Sequence, residues 1–144
     1  MNSAPEAEFP GWHRSLLCAS TIHSGAWGLF IMALPALSAK VYGFASTPQE
    51  LHLWQGTGLF ITLLAIGYAM AAADIQQHWG FVLLGLLAKF FGAIGITYSV
   101  IRGDVSANVL WLLPLNDVIW WWPFWRIVQI GRQRSRALRN ADDG

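Results

Sequence analysis

The sequence predicts an all-α polytopic membrane protein, an antiparallel up-down four-helix transmembrane bundle. Three observations carry the prediction. Apolar residues make up 55% of the chain and charged residues 12%, about half the charged share of an average soluble protein. Four apolar segments, 15–37, 51–73, 79–101 and 105–125, each approach the roughly 20 residues a helix needs to cross the hydrocarbon core. The links between them are short, which makes consecutive helices antiparallel neighbours. The 144 residues therefore divide into a segment 1–14, a transmembrane domain 15–125 and a basic tail 126–144.

The segment before the first helix carries Glu6 and Glu8 and no Lys or Arg up to Pro10. A secretory signal begins with a basic region, so the first apolar segment is expected to be a mature helix. His23 lies about two turns into it, with Ala19 and Trp27 on the same face. Cys18 is the one cysteine, which excludes a disulfide framework. Tyr42 falls at the outer end of this segment. The second helix starts at Thr47-Pro48-Gln49-Glu50, the pattern of a capping box with Pro in the first turn. Ala65, Ala69 and Ala73 follow at four-residue spacing, the spacing that lets helix backbones approach in a membrane.

Asp74 to His78 is a polar break, and Asp74 has the chemistry to cap the third helix. Asp74 and His78 together form a polar cluster at that end. Within the third helix, Ala88, Gly92 and Gly95 repeat the small-residue pattern. Arg102-Gly103-Asp104 separates the third and fourth helices. Pro114 and Pro123 each remove a backbone bond from the fourth, so a kink or unwound stretch is expected there. Trp120, Trp121, Trp122 and Trp125 fill its second half, where interface-seeking indoles belong.

Basic residues set the orientation. Arg14 precedes the first helix, and Arg126, Arg132, Arg134, Arg136 and Arg139 follow the fourth, whereas Lys40 and Arg102 stand alone on the other side. The positive-inside rule then puts both termini in the cytoplasm. The arginines of the tail are placed to meet anionic headgroups. A net charge of +1 gives no electrostatic case for nucleic acid.

Chemistry is concentrated in Lys89 and Asp117. Lys89 lies about ten residues, roughly 15 Å, into the third helix, and Asp117 lies a similar distance into the fourth from the opposite side. A charge at that depth costs at least about 2.5–3.5 kcal/mol on insertion scales. Both are expected to face inward and pair, directly or through water, as an intramembrane ion pair, with Asn116 adding a hydrogen bond. Such a pair either fixes helix register or handles protons or a ligand. His23, Tyr68 and Tyr98 are candidates to assist. A metal site is not expected. His13, His23, His78 and Asp74 could gather at one end, but no ligand-spacing motif supports them.

Three stretches carry a family likeness. They are Gly67-Tyr68 to Ala73-Asp74 with His78-Trp79, Gly85-Leu86-Leu87-Ala88-Lys89 with Gly92 and Gly95, and Asn116-Asp117 with Trp120-Trp121 and Pro123-Phe124. Together they resemble an uncharacterised family of small four-helix bacterial membrane proteins, some of them labelled alkyl hydroperoxide reductase. The general layout is also similar to that of DoxX-like proteins. The resemblance implies a bacterial inner-membrane location. Ile75-Gln76-Gln77 departs from the family pattern, which has Pro and Arg in that loop. A thiol peroxidase needs an accessible thiolate and usually a resolving cysteine, and Cys18, alone in an apolar helix, meets neither need.

Three functional expectations follow. The first is a module that binds a lipid or other hydrophobic small molecule, or that docks as an accessory subunit on a larger membrane complex. The second is a quinone-linked redox or proton-transfer subunit centred on Lys89 and Asp117. The third is a transporter or channel, which at this length requires a homo-oligomer.

Overall fold

The structure is a computed structural model that describes residues 8–43 and 47–142. Among these residues it is all-helical, with no strand. Five α-helices occur in the order α1 (His13–Ala33), α2 (Pro35–Val41), α3 (Pro48–Ala73), α4 (Ile75–Arg102) and α5 (Ile119–Asp142). Between α4 and α5 run a 3₁₀ segment, Ala107–Leu112, and a π-helical turn, Pro114–Val118. Three helices, α1, α3 and α4, are long and apolar enough to cross a membrane.

Helix boundaries follow local chemistry, and in three places they differ from the expected ones. The first apolar segment is two helices rather than one. Leu34, the residue before Pro35, leaves the helical region (φ −131°, ψ 59°), as the proline ring ahead of it demands. Pro35 then opens α2, where its missing N–H costs nothing. The break loosens the end of α1, and the Met32 carbonyl is met by the Gln55 side-chain amide at 2.9 Å.

The link between α3 and α4 is shorter than expected. Asp74 alone is non-helical (φ −143°, ψ 96°), and its carboxylate accepts from the N–H groups of Gln76 and Gln77 at 3.0 and 3.2 Å. His78 is consequently already in the first turns of α4. The third difference is in the expected fourth helix: the unwound stretch expected from its prolines lies around Pro114, whereas Pro123 sits inside α5, which begins only at Ile119. Ile119 N–H reaches the Pro114 carbonyl five residues back. The α-helix then continues well past 125, through most of the expected tail. The Thr47 capping box forms with both of its bonds, between the Thr47 hydroxyl and Glu50 N–H and between the Glu50 carboxylate and Thr47 N–H. Gly103 ends α4 with φ +80°, a left-handed conformation suited to glycine.

Neighbouring long helices run antiparallel, α1 beside α3, α3 beside α4, and α4 beside α5. The α1–α3 contact is the tightest. A Cβ on Gly28 would lie 2.3 Å from Thr62 Oγ1 and 2.7 Å from the Gly58 carbonyl, and one on Gly58 would lie 2.8 Å from the Gly28 carbonyl. Two glycines thus let two backbones touch. Ala69, Ala73, Gly92 and Gly95, expected as contact residues, are exposed instead; of the expected alanine stripe only Ala65 is buried.

Near Asp74 the glycines again receive side chains, Phe81 against Gly67, Tyr68 against Gly85 and Trp79 against Gly131. Tyr68, Val82, Phe124, Ile127 and Leu17 form the core of that end. Arg134 lies over the Phe9 ring at 5.3 Å, so the arginine-bearing part of α5 packs beside the start of α1. A second core, at the opposite end, joins Tyr42, Val109 and Leu112 to Trp27 and Trp54. There Trp54 Nε1 donates to Ser38 Oγ at 2.9 Å, tying α2 to α3.

Candidate ligand cavity

Between the two cores lies a cavity of about 280 Å³. Its origin is the divergence of α3 and α4. They are held together near Asp74 by Gly67–Phe81 and Gly85–Tyr68, whereas a Cβ on Gly92, two turns beyond Gly85, would meet nothing within 4 Å. The wedge opened in this way is walled by Phe60, Ile61 and Leu64 of α3 and by Ala88, Gly92 and Ile96 of α4. Trp27 and Ser24 of α1, with Tyr42, close one side, and the irregular stretch from Val109 to Asp117 closes another. Phe60 and Gly92 are both exposed on the outer surface, so the cavity has a lateral mouth between α3 and α4.

The polar groups gather on one wall. Lys89 is only 9% exposed. Its ammonium donates to the backbone carbonyl of Asn116 at 2.6 Å and sits 5.7 Å from the centre of the Trp120 ring. Asn116 lies within the wide π turn, and its side-chain amide donates to the Tyr42 hydroxyl at 3.2 Å. Asp117 lines the same cavity. It does not contact Lys89 directly: the ion pair within 4 Å among the described residues is Arg102–Asp104, at the exposed end of α4. The ammonium is instead satisfied by a main-chain oxygen of the residue next to the expected carboxylate. Hydrogen bonds to a charged donor are worth about 1.5–3 kcal/mol.

Tyr68 is fully buried and lines the cavity, and its hydroxyl has no hydrogen-bond partner. Gly85 makes its position possible, since a Cβ there would lie 2.0 Å from the hydroxyl oxygen. His23 is half-buried and does not line the cavity. It packs on Trp120 with ring centroids 5.5 Å apart, so one indole separates it from Lys89. Its Nδ1, like the indole N–H groups of Trp120 and Trp121, is buried without a partner.

The remaining candidate residues lie elsewhere. Tyr98 is 58% exposed and lies 5.9 Å beneath the Arg102 guanidinium, far along α4 from Lys89. The Asp74 carboxylate is committed to the α4 N-terminus, while the His78 ring packs against Phe81, so the two side chains form no joint site. No group of three metal-ligating side chains occurs among the described residues. Cys18 is exposed on α1, so the side chain is accessible, contrary to expectation, though the sequence has no second cysteine to resolve it.

Trp27, Trp54 and Trp120 belong to the site and were not expected there. Trp120 was expected only as an interface residue. The signal available for Trp27 was its place one turn after His23, on the face that meets Tyr42 at 5.8 Å. Comparison with known proteins finds no matching family model, no matching curated protein and no matching solved structure. The family likeness thus rests on the sequence stretches alone.

Proposed function

We propose that the chain is an integral membrane protein whose 280 Å³ cavity binds a hydrophobic small molecule drawn from the bilayer. The observation that carries this is a largely apolar wedge with a lateral mouth between two membrane-length helices and a compact polar wall at its inner side. Small-molecule sites have this make-up, apolar walls with a few placed polar groups.

In this reading α1, α3, α4 and the stretch from Ala107 into α5 are the four membrane crossings of an up-down bundle. Support for the fourth comes from its outward apolar side chains, Trp111, Leu115, Ile119 and Trp122, each at least half exposed. Irregular backbone at bilayer depth is tolerated where it lines a cavity, and the 3₁₀ and π segments do so. With Arg14 and the α5 arginines at one end, both termini face the cytoplasm of a bacterial inner membrane.

Native mass spectrometry of protein taken from its own membranes in mild detergent tests the proposal. The wild type is expected to carry a small apolar adduct that Gly92→Phe, which fills the mouth, has lost. A wild type that flies bare, or a folded Gly92→Phe protein with the same adduct, would contradict it. A second reading, proton transfer coupled to a bound quinone, is favoured by one observation: two ionisable side chains, Lys89 and Asp117, line the same cavity.

A further inference from the structure

Resting on the membrane placement proposed above, and on no feature of the cavity, the geometry points to a site for the headgroup of an anionic phospholipid on the outward face of α5. Arg126, Arg132 and Arg136 form it, with Gln129 and Gln133 between them. The stretch from Arg126 to Asn140 holds five arginines and no acidic residue, and it is helical throughout. The fold sorts these arginines by face. Arg134 lies over the Phe9 ring, on the same side of the helix as buried Ile127 and Gly131. Gln129, Arg132 and Arg136 follow one another at three- and four-residue spacing on the other side, with Arg126 and Gln133 within a turn of Gln129. All five are exposed, and residues so spaced are neighbours on a helix surface.

The charges of this face are uncompensated. Arg132 and Arg136, one turn apart, repel each other. No carboxylate among the described residues pairs with either of them or with Arg126. Trp79 against Gly131 and Arg134 over Phe9 set this face level with the starts of α4 and α1, the cytoplasmic interface in the reading above. Arg126 lies about 7.5 Å below Gly131 at the usual rise, within reach of the interface for a long side chain that snorkels. Trp122 and Trp125, 65% and 48% exposed, lie on the same face one to two turns nearer the bilayer than Gln129. Indoles at that level suit the boundary between acyl chains and headgroups, and arginines above them suit the phosphate. A zwitterionic headgroup brings a cation that the arginines repel, and an anionic one does not. An acidic protein segment would match the charge, but a lipid also covers the two indoles with its chains.

The test is native mass spectrometry of the protein released from nanodiscs of phosphatidylglycerol and deuterium-labelled phosphatidylcholine, in equal parts and with matched acyl chains. The wild type is expected to retain phosphatidylglycerol about 25-fold over phosphatidylcholine, about fivefold for each of the two neighbouring arginines. Arg132→Gln and Arg136→Gln should each lower that ratio about fivefold, and together bring it close to one. Both side chains are exposed and repel each other, so the fold does not depend on them. Arg102→Gln, at the opposite end of α4, should leave the ratio unchanged. Equal retention of the two lipids by the wild type overturns the site. So does a ratio unmoved by the Arg132 and Arg136 variants, or one lowered as much by Arg102→Gln, since preference would then follow net charge. Displacement of the retained lipid by an excess of soluble glycerol phosphate also overturns it, because the site would then take a free phosphate. An acidic protein bound to the wild type but not to the double variant, after extraction from native membranes, does the same. A chain that does not enter nanodiscs at all overturns the membrane placement and the site together.

Discussion

Gly28→Leu is expected to destabilise the protein by about 3 kcal/mol, the upper part of the range for overpacking a tight contact. The reason is the absence of any give. The atoms in the way include the Gly58 carbonyl and the Thr62 backbone nitrogen, and backbone cannot rotate aside as a side-chain tip would. α1 must move off α3 as a whole, carrying with it Ile31 and the Gln55–Met32 bond. Unfolding in mixed detergent and dodecyl sulfate, followed by tryptophan emission, measures the loss. Gly56→Leu is the matched control on α3, since a Cβ there meets nothing within 4 Å, and it should stay within about 0.5 kcal/mol of wild type.

The second large effect concerns the polar wall. Lys89→Met and Asp117→Asn are each expected to cost about 2 kcal/mol, less than the 3–5 for breaking a buried contact pair, because the two charges are not in direct contact. Lys89→Met strips the donor from the Asn116 carbonyl and leaves Asp117 without a nearby cation. Asp117→Asn leaves Lys89 as an uncompensated charge in an apolar surrounding. The double variant should cost about as much as one single, which is a coupling of about 2 kcal/mol, within the range for residues of one network. Additive losses would mean that Asp117 faces Lys89 across the cavity without influencing it. The unfolding assay used for Gly28 reads all three variants.

Much of the architecture was legible because it follows from local rules. The Thr47–Glu50 box, Asp74 as a cap and Gly103 as a stop are short-range chemistry, and each sits where the residue types require. Membrane-length apolar segments are equally local. Pro35 shows the limit of reading hydropathy alone. Its segment is apolar throughout, yet the proline forces Leu34 out of the helix.

Tertiary choices were less legible. Small residues recur on several faces of α3 and α4, and spacing does not say which face meets a neighbour. Gly28 ends a stripe of small residues, Ser20, Ser24 and Gly28, that is buried at four-residue spacing and that the expectation passes over, while Ala69, Ala73, Gly92 and Gly95 stand in the expected stripes and are exposed. Lys89 and Asp117 stand out as charges in apolar helices, so their presence on one cavity wall could be anticipated from depth alone. The acceptor for Lys89 could not. It is a main-chain oxygen in a π turn, and any residue type supplies that atom. Tyr98 and His78 lie away from the cavity for a simple reason. Helical periodicity carries Tyr98 off the face that holds Lys89, and the one-residue link at Asp74 sets His78 against Phe81.

The central claim is that a bilayer-derived apolar molecule enters between α3 and α4 and comes to rest in the wedge. Crystals grown with 2-bromonaphthalene, and measured at the bromine edge, place such a molecule directly. The account predicts an anomalous peak inside the wedge, between Leu64 and Gly92. Bromine found only on the outer, lipid-facing surface of the helices, with the wedge occupied by water, would contradict it.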